Sequence, residues 1–229
     1  MTKYGPYSHV IFDMDGLLLN TEHIYTQAYQ RVAQQYGTNF TWDVKVQLMG
    51  MPGKQGAEKA IELMKLPLTA DEFINALHSH KQELFPTAQV LPGAEKLVRH
   101  LHAHGVPIAV ASGSFTNDFN TKTTHHKDLF QLFPIIVLGD DPDLKRGKPE
   151  PDQFLLTLGR FLEPHPSVDS VLVFEDSPNG VLAAKAAGMG VVLVPDERLE
   201  KGMYRNPTVA LKSLEDFVPE EFGLPPYKI

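Results

Sequence analysis

The sequence is organised around one stretch, Ser8-His9-Val10-Ile11-Phe12-Asp13-Met14-Asp15-Gly16. Its apolar run at residues 10–12 is typical of a short buried strand. Asp13 and Asp15 follow the strand, and Gly16 permits backbone angles that other residues resist. Two carboxylates at this point form an oxygen-rich site that suits a hydrated Mg²⁺ ion, and one carboxylate can attack phosphorus. The same stretch is compatible with a polar turn, because Asp and Gly are common turn residues.

The composition is that of an ordinary globular protein. The chain has 229 residues, enough for one large domain or two modest ones, and its 42% hydrophobic content allows a full core. The formal net charge of −7 argues against a general nucleic-acid binder, which needs a basic face. The sequence has no cysteine, which excludes disulfides, thiol catalysis and zinc–thiolate sites.

No apolar run in the sequence is long enough to cross a membrane, for which about 18 residues are needed. The first residues also lack the apolar core of a secretory signal peptide. We therefore expect a cytoplasmic protein and a monomer. Its partner is expected to be a small molecule, with no nucleic acid and no membrane; the sites described below point to a phosphorylated substrate.

The second part of the chain alternates strands with helices. Strands are predicted at residues 106–111, 135–138, 171–174 and 191–194, with a short one near 208–210. This alternation implies right-handed crossovers and an α/β fold with a doubly wound parallel sheet. Ligands of such sheets bind beyond the carboxyl ends of the strands.

The segment between the first strand and this alternating region is helical. Residues 41–86 show helical patterning without a convincing strand, and Thr21 and Thr69 are candidate helix caps. We expect a core made of residues 1–19 and 89–229, with a small all-helical cap domain, residues 20–88, inserted after the first strand. The cap is expected to select the substrate, with the Gly50-Met51-Pro52-Gly53 loop and Lys54 closest to it.

Three further polar sites follow predicted strands or loops at the same edge of the sheet. Ser112-Gly113-Ser114 can bind an oxyanion through hydroxyl and backbone N–H groups, or act as a helix cap. Lys148, between Gly147 and Pro149, can offset negative charge, although a single lysine is often just solvated. Glu175 and Asp176 can complete a metal site, or form an acidic helix N-terminus.

Taken together, the four sites indicate phosphoryl transfer. They combine a nucleophile, metal ligands, an oxyanion donor and a compensating cation. Phosphoryl transfer needs positioning and electrostatic stabilisation, which these groups supply.

The four ordered motifs, Asp13-Met14-Asp15-Gly16, Ser112, Lys148-Pro149 and Glu175-Asp176-Ser177, resemble those of the haloacid dehalogenase-like (HAD) hydrolase superfamily. The resemblance covers essentially the whole chain and implies a HAD-like Rossmannoid core with a helical cap. It implies that Asp13 is the nucleophile that forms an aspartyl-phosphate and that Asp15 is the general acid and base. Ser112, Gly113, Ser114 and Lys148 would hold the phosphoryl oxygens. Mg²⁺ would be held by Asp13, the backbone carbonyl of Asp15, Asp176, and Glu175 directly or through water.

Within the superfamily, several stretches resemble a group of pseudouridine-5′-phosphatases. They include Asp13-Met-Asp-Gly-Leu-Leu-Leu-Asn-Thr-Glu22, Val137-Leu-Gly-Asp-Asp-Pro142 and Val173-Phe-Glu-Asp-Ser-Pro-Asn-Gly-Val181. The resemblance implies hydrolysis of pseudouridine 5′-phosphate. Asn20 departs from the aspartate usual in that group, and Gly113 departs from its usual serine.

Four alternatives remain at this point. A sugar-phosphate mutase resembles the chain, but such enzymes usually have a histidine where Tyr25 stands. A dehalogenase would lack the second aspartate, Asp15, and the metal ligands. A catalytically silent interaction protein would be expected to lose a motif, and none is lost. A phosphatase for sugar or glycerol phosphates, or for another nucleotide, is the hardest to exclude.

Overall fold

The computed structural model describes residues 2–48 and 53–227. The chain divides into two compact units: Met1–Leu19 together with Gln89–Ile229, and Asn20–Ala88. Of the predicted Gly50-Met51-Pro52-Gly53 loop, the first three residues lie outside the described residues, and Gly53 begins a helix. In the described part of the chain, no helix combines the length and apolarity needed to cross a membrane.

The first unit is built on a six-stranded parallel sheet, which confirms the predicted α/β fold. Its strands are β1 (His9–Phe12), β2 (Ile108–Ala111), β3 (Ile135–Val137), β4 (Val171–Glu175), β5 (Gly190–Leu193) and β6 (Val209–Ala210). Their spatial order is β3-β2-β1-β4-β5-β6. The chain therefore builds outward from β1 to one side and then to the other, so that the strand order reverses beside β1. Crevices at such reversal points are the usual ligand sites of open parallel sheets.

Helices account for most of the remaining regular structure. In the second unit they are α1 (Glu22–Gln35), α2 (Trp42–Leu48), α3 (Gly53–Met64) and α4 (Ala70–Leu84); in the first they are α5 (Ala94–Ala103), α6 (Thr116–Lys122), α7 (Lys127–Phe130), α8 (Asp152–Leu158) and α9 (Pro178–Ala186). Short 3₁₀ turns occur at Phe85–Thr87, Val168–Ser170, Lys201–Met203, Leu214–Asp216 and Pro219–Phe222.

Both faces of the sheet are buried. Successive strand side chains point to opposite faces, so Val10 and Phe12 belong to one apolar cluster and Ile11 to another. Leu97 and Leu101 of α5 lie in the first cluster, and Val181 of α9 lies in the second. Helices therefore cover the sheet on both sides, and its carboxyl edge is the place left for polar side chains.

The inserted unit has its own core. Phe73 of α4 is fully buried, and Tyr29 of α1 packs edge-on against it with ring centroids 5.6 Å apart. Thr69 caps the start of α4, as predicted. It does so in a capping box, in which Thr69 and Glu72 bind each other's backbone N–H groups. The prediction of Thr21 as the N-cap residue of α1 is confirmed in position only. Thr21 occupies the N-cap position of α1 but has helical backbone angles and makes no side-chain capping hydrogen bond.

The insert leaves and rejoins the first unit at neighbouring positions. Leu19, the last residue before it, pairs with Val90 in an isolated antiparallel bridge. The N–H of Leu91 donates to the carbonyl of Leu18 at 2.9 Å. The two chain segments that flank the insert are therefore hydrogen-bonded to each other within the first unit.

Candidate active site

A tight turn carries the first two carboxylates beyond β1. The N–H of Asp13 still donates to the carbonyl of Phe174 on β4 at 2.9 Å, so Asp13 continues the sheet. The carbonyl of Met14 then accepts from the N–H groups of Leu18 and Leu19, both at 3.0 Å, while Gly16 has a φ of +81°. This positive φ is strained for residues other than glycine, which accounts for Gly16 after the aspartates. Asp13 is 6% exposed.

Lys148 joins the ends of three strands. Its Nζ lies 2.5 Å from Oδ1 of Asp13 and 2.7 Å from Oε1 of Glu175, and it donates to the carbonyl of Ala111 at 3.0 Å. These partners stand at or beyond the carboxyl ends of β1, β4 and β2. The side chain of Lys148 is 12% exposed, so its ion pairs are largely shielded from water. Charge-assisted bonds of this length are among the stronger ones in proteins.

Burial and the neighbouring charges shift the pKa values of Asp13 and Lys148. Burial raises the pKa of Asp13 to about 7, because Lys148 opposes the effect only in part and Glu175 and Asp15 add to it. Burial also acts to lower the pKa of Lys148, but the carboxylates of Asp13 and Glu175 outweigh it and hold that pKa above its ordinary value. Lys148 is therefore a permanent cation between two carboxylates.

Asp15 is held by a separate set of groups. Ser114 donates to its Oδ2 at 2.6 Å and Ser112 donates to the same oxygen at 3.2 Å. On the other oxygen, Oδ1, Asp15 receives the Nζ of Lys122 at 2.5 Å. Lys122, the last residue of α6, was not among the predicted site residues. Two different lysines thus hold the two motif-one aspartates.

The loop after β2 is fixed by its neighbours. The N–H of Ser112 donates to the carbonyl of Val137 at 3.0 Å, and Nε2 of the buried Gln153 donates to the carbonyl of Ser112 at 2.6 Å. Beside Gly113 the chain makes a close approach, since a Cβ on Gly139 would lie 2.3 Å from the Gly113 carbonyl oxygen. Gly113 itself has open space around the position of a Cβ. The predicted phosphate loop is therefore rigidly supported, with room at its middle residue.

Glu175 is buried with both carboxylate oxygens engaged. Its Oε1 receives Lys148, while its Oε2 accepts from the N–H groups of Asp176 and Ser177, both at 3.1 Å, and from the Ser177 hydroxyl at 2.9 Å. Ser177 also caps α9 by accepting from the N–H of Gly180 at 3.1 Å. Glu175 therefore connects Lys148 to the start of α9, and Asp176 lies partly exposed beside it.

The family of the chain follows from comparison with known proteins. Residues 10–194, which include all four motifs, match the family described as haloacid dehalogenase-like hydrolase. The chain belongs to this family. The resemblance predicted from the motifs is thereby confirmed.

Individual relatives narrow the activity of this HAD protein to that of a phosphatase. (DL)-glycerol-3-phosphatase 1, mitochondrial, from Arabidopsis thaliana is 45% identical over 226 residues, which cover 98% of this chain and 76% of the relative. A Drosophila melanogaster protein named "Probable pseudouridine-5'-phosphatase" is 44% identical over 221 residues, which cover 96% of this chain and 95% of the relative. The chain is an enzyme, a HAD-family phosphatase.

A solved structure shares the fold. A HAD hydrolase of family IA, variant 3, from Entamoeba histolytica superposes with a TM-score of 0.79 at 21% identity. The match covers 94% of this chain and 97% of that one. At this identity the likeness supports the architecture of the HAD fold and nothing finer.

The donor set of this HAD phosphatase fits a magnesium ion. Among residues 2–48 and 53–227, no three His, Asp or Glu side chains stand together in a metal-binding arrangement. Mg²⁺ usually takes only one or two carboxylates and keeps several waters, so Asp13 and Asp176 with a backbone carbonyl suffice in type and number. Burial is the main cause of the raised pKa of Asp13, and the nearby carboxylates of Glu175 and Asp15 add to it. A divalent cation bound here would favour the ionised form of Asp13.

The structure brings the predicted site residues together at one edge of the sheet, in two groups. Asp13, Lys148 and Glu175 form the first, with Asp176 next to Glu175 in the chain. Asp15, Ser112 and Ser114 form the second, and Gly113 lies between the two serines. Lys122 was missed because a lysine in a short polar helix normally lies on the surface.

Proposed function

We propose that this HAD phosphatase is a magnesium-dependent phosphomonoesterase that hydrolyses the phosphate ester of a primary alcohol through an aspartyl-phosphate on Asp13. The division of the two aspartates between two lysines supports the proposal. Asp13, beside Lys148 at the end of β1, suits a nucleophile whose developing charges are offset by a fixed cation. Asp15, held by hydroxyl groups and Lys122, suits a proton donor and acceptor.

In the first step a carboxylate oxygen of Asp13 attacks phosphorus, and the bond from phosphorus to the ester oxygen breaks. Asp15 gives its proton to the departing oxygen, which leaves as the alcohol. Lys148 stabilises the negative charge on the phosphoryl group during the transfer.

In the second step a water molecule attacks the phosphorus of the aspartyl-phosphate. Asp15, now a carboxylate, takes a proton from this water. The bond between phosphorus and the Asp13 oxygen breaks, which releases phosphate and restores both aspartates. Ser112 and the backbone around Gly113 and Ser114 are proposed to bind the phosphoryl oxygens in both steps.

Asp13, Asp176 and the backbone carbonyl of Asp15 would hold Mg²⁺, with Glu175 binding directly or through water. When bound, this ion would supply further electrostatic stabilisation of the phosphoryl oxygens. Both carboxylate oxygens of Glu175 already accept hydrogen bonds, one of them from Lys148. We therefore propose that Glu175 also positions Lys148, in addition to any contact with the metal.

The substrate proposed is pseudouridine 5′-phosphate, on the motif resemblance and on the 44% identical relative named for that activity. Glycerol 3-phosphate is the second candidate, because the relative named for that activity is 45% identical. Both are phosphate esters of a primary alcohol, so the proposed chemistry is the same for either.

The test is phosphate release, with Mg²⁺, from pseudouridine 5′-phosphate, uridine 5′-phosphate, glycerol 3-phosphate and glucose 6-phosphate. We expect a kcat/KM preference of at least about tenfold for pseudouridine 5′-phosphate, or else for glycerol 3-phosphate, and loss of activity in Asp13→Asn. Preference for glycerol 3-phosphate would keep the mechanism and change the substrate. Full activity in Asp13→Asn would refute the aspartyl-phosphate.

A further inference from the structure

Lys122 is a buried lysine outside the four HAD motifs. Its side chain has no solvent exposure, and a buried charge is costly unless it is paired and hydrogen-bonded. Its Nζ meets Oδ1 of Asp15 at 2.5 Å and donates to the hydroxyl of Ser114 at 2.6 Å. The ion pair with Asp15, a proposed catalytic residue, offsets the energetic cost of burying this ammonium group.

We propose that Lys122 is a positioning residue that, together with Ser114, fixes the carboxyl group of Asp15 for proton transfer to the departing oxygen and from the attacking water. The inference rests on the proposed role of Asp15 as general acid and base. It gives α6, which lies outside the four motifs, a part in the reaction.

The geometry is a closed triangle of hydrogen bonds. Lys122 donates to Oδ1 of Asp15 and to Ser114, and Ser114 donates to Oδ2 of Asp15 at 2.6 Å. Both carboxylate oxygens are therefore anchored, which restricts both side-chain torsions of Asp15. Each carboxylate oxygen can accept more than one hydrogen bond, so this anchoring does not prevent contact with a substrate.

Asp15 stays accessible while it is held. Its side chain is 18% exposed, whereas that of Lys122 is fully buried. The carboxylate is thus supported from the protein interior and open on another side. Precise placement matters for proton transfer, because a misplacement of about 1 Å can cost about 100-fold in rate.

Substrates with different leaving groups can distinguish positioning of Asp15 by Lys122 from direct binding of phosphate by Lys122. The alkoxide of a primary alcohol is a poor leaving group that needs a proton, whereas 4-nitrophenolate leaves readily without one. If Lys122 acts through Asp15, its loss should harm the alkyl ester selectively. If Lys122 instead binds the phosphoryl group, both esters should suffer equally.

The experiment measures kcat/KM, which reports the steps up to cleavage of the ester bond, for Lys122→Met and Asp15→Asn. The substrates are 4-nitrophenyl phosphate and the better of pseudouridine 5′-phosphate and glycerol 3-phosphate. We expect Lys122→Met to lose about 100-fold on the alkyl ester and less than about fivefold on the nitrophenyl ester. Lys127→Met, which removes an exposed lysine just beyond α6, is the matched control and should change neither value.

A double variant guards against unfolding of Lys122→Met, which leaves the Asp15 carboxylate without its ammonium partner. In Asp15→Asn/Lys122→Met neither charge remains, and its alkyl kcat/KM should equal that of Asp15→Asn within about twofold. A further loss in the double variant would overturn the inference.

The outcomes separate the inference from the proposed function. Equal losses on both esters in Asp15→Asn would overturn the role of Asp15 and the inference with it. A selective loss in Asp15→Asn with equal losses, or none, in Lys122→Met would overturn the inference alone.

Discussion

At the scale of single residues, the place of Glu175 depends on Gly180 in α9. A Cβ at Gly180 would lie 1.7 Å from Cδ of Glu175 and 1.9 Å from its Oε1, the oxygen that holds Lys148. Alanine normally stabilises a helix interior by about 1 kcal/mol over glycine. We expect Gly180→Ala to destabilise instead, by about 1–3 kcal/mol, because a buried carboxylate must move.

Urea unfolding checks this prediction, and kcat/KM should fall together with stability because Glu175 positions Lys148. Gly202→Ala is the matched control, since a Cβ there meets nothing within 4 Å and its φ is not positive. It should change stability by less than about 0.5 kcal/mol. Wild-type stability in Gly180→Ala would contradict the close packing described here.

The buried Asp13 should make the metal-free protein sensitive to pH. Its pKa in the folded protein is raised, to about 7 from 3.8, so the folded state binds the proton more tightly than the unfolded state. The stability that this proton contributes is complete below pH 4 and is lost as pH rises through 7. A shift of this size corresponds to about 4 kcal/mol at most.

Urea unfolding in EDTA between pH 5 and pH 8 tests the linkage, with Asp13→Asn as the reference. The free energy of unfolding of the wild type should fall with rising pH relative to that of the variant. The raised pKa of Lys148 keeps this group protonated throughout the range, so it does not contribute to the difference. Parallel curves would show that Asp13 is already ionised at pH 5.

The residues of the candidate site differ in how far the sequence predicts them. Asp13, Asp15 and Glu175 follow apolar strands, and parallel strands bring their carboxyl ends to one edge. Lys122 has no such signal, because α6 reads Thr-Asn-Asp-Phe-Asn-Thr-Lys and its burial arises only from tertiary packing. The need for glycine at Gly180 likewise depends on the side-chain position of Glu175, which local patterns do not encode.

At the scale of secondary structure, the capping box of α4 allows a clean test. Thr69 accepts from the N–H of Glu72, and the Glu72 carboxylate accepts from the N–H of Thr69 at 2.8 Å. We expect Thr69→Ala to lower the free energy of unfolding by about 1 kcal/mol, because the N–H of Glu72 loses the hydroxyl oxygen that accepts its hydrogen bond. Thermal or urea unfolding measures the loss.

Thr69→Ser keeps the hydroxyl group and serves as the control for this substitution. It should stay within about 0.5 kcal/mol of the wild type. An equal loss in Thr69→Ser would assign the effect to the methyl group of Thr69 rather than to its capping hydrogen bond.

Local sequence patterns predicted most of the helices and strands. The alternation of apolar strands and amphipathic helices was sufficient for the parallel sheet, and Thr69 predicted the start of α4. Thr21 is likewise a threonine before a helix, but Ile24 rather than glutamate stands three residues later. Its backbone is already helical and its side chain is fully buried. The two threonines therefore predicted where each helix begins, but not whether the side chain caps it.

At the scale of the whole molecule, Mg²⁺ should stabilise the folded protein, because the proposed ligands come together only on folding. At a concentration 100 times its Kd, a ligand of the native state adds about 2.7 kcal/mol to the free energy of unfolding. We expect Tm to rise on addition of Mg²⁺, and Asp176→Asn to lose most of that rise. EDTA should remove both the rise and the activity.

Asp169→Asn provides a charge-matched control for this measurement, since Asp169 is an exposed aspartate in the turn before β4. It should keep the full magnesium response. An unchanged response in Asp176→Asn would remove Asp176 from the proposed ligands and leave the donor set to Asp13 and Glu175.

The antiparallel bridge between Leu19 and Val90 affects how the gene for this protein can change during evolution. The two chain segments that flank the insert pair with each other. A genetic event can therefore exchange the whole of residues 20–88 without interrupting a strand of the sheet. The residues of the proposed mechanism all lie outside 20–88, so such an exchange would leave every one of the proposed reacting groups in place.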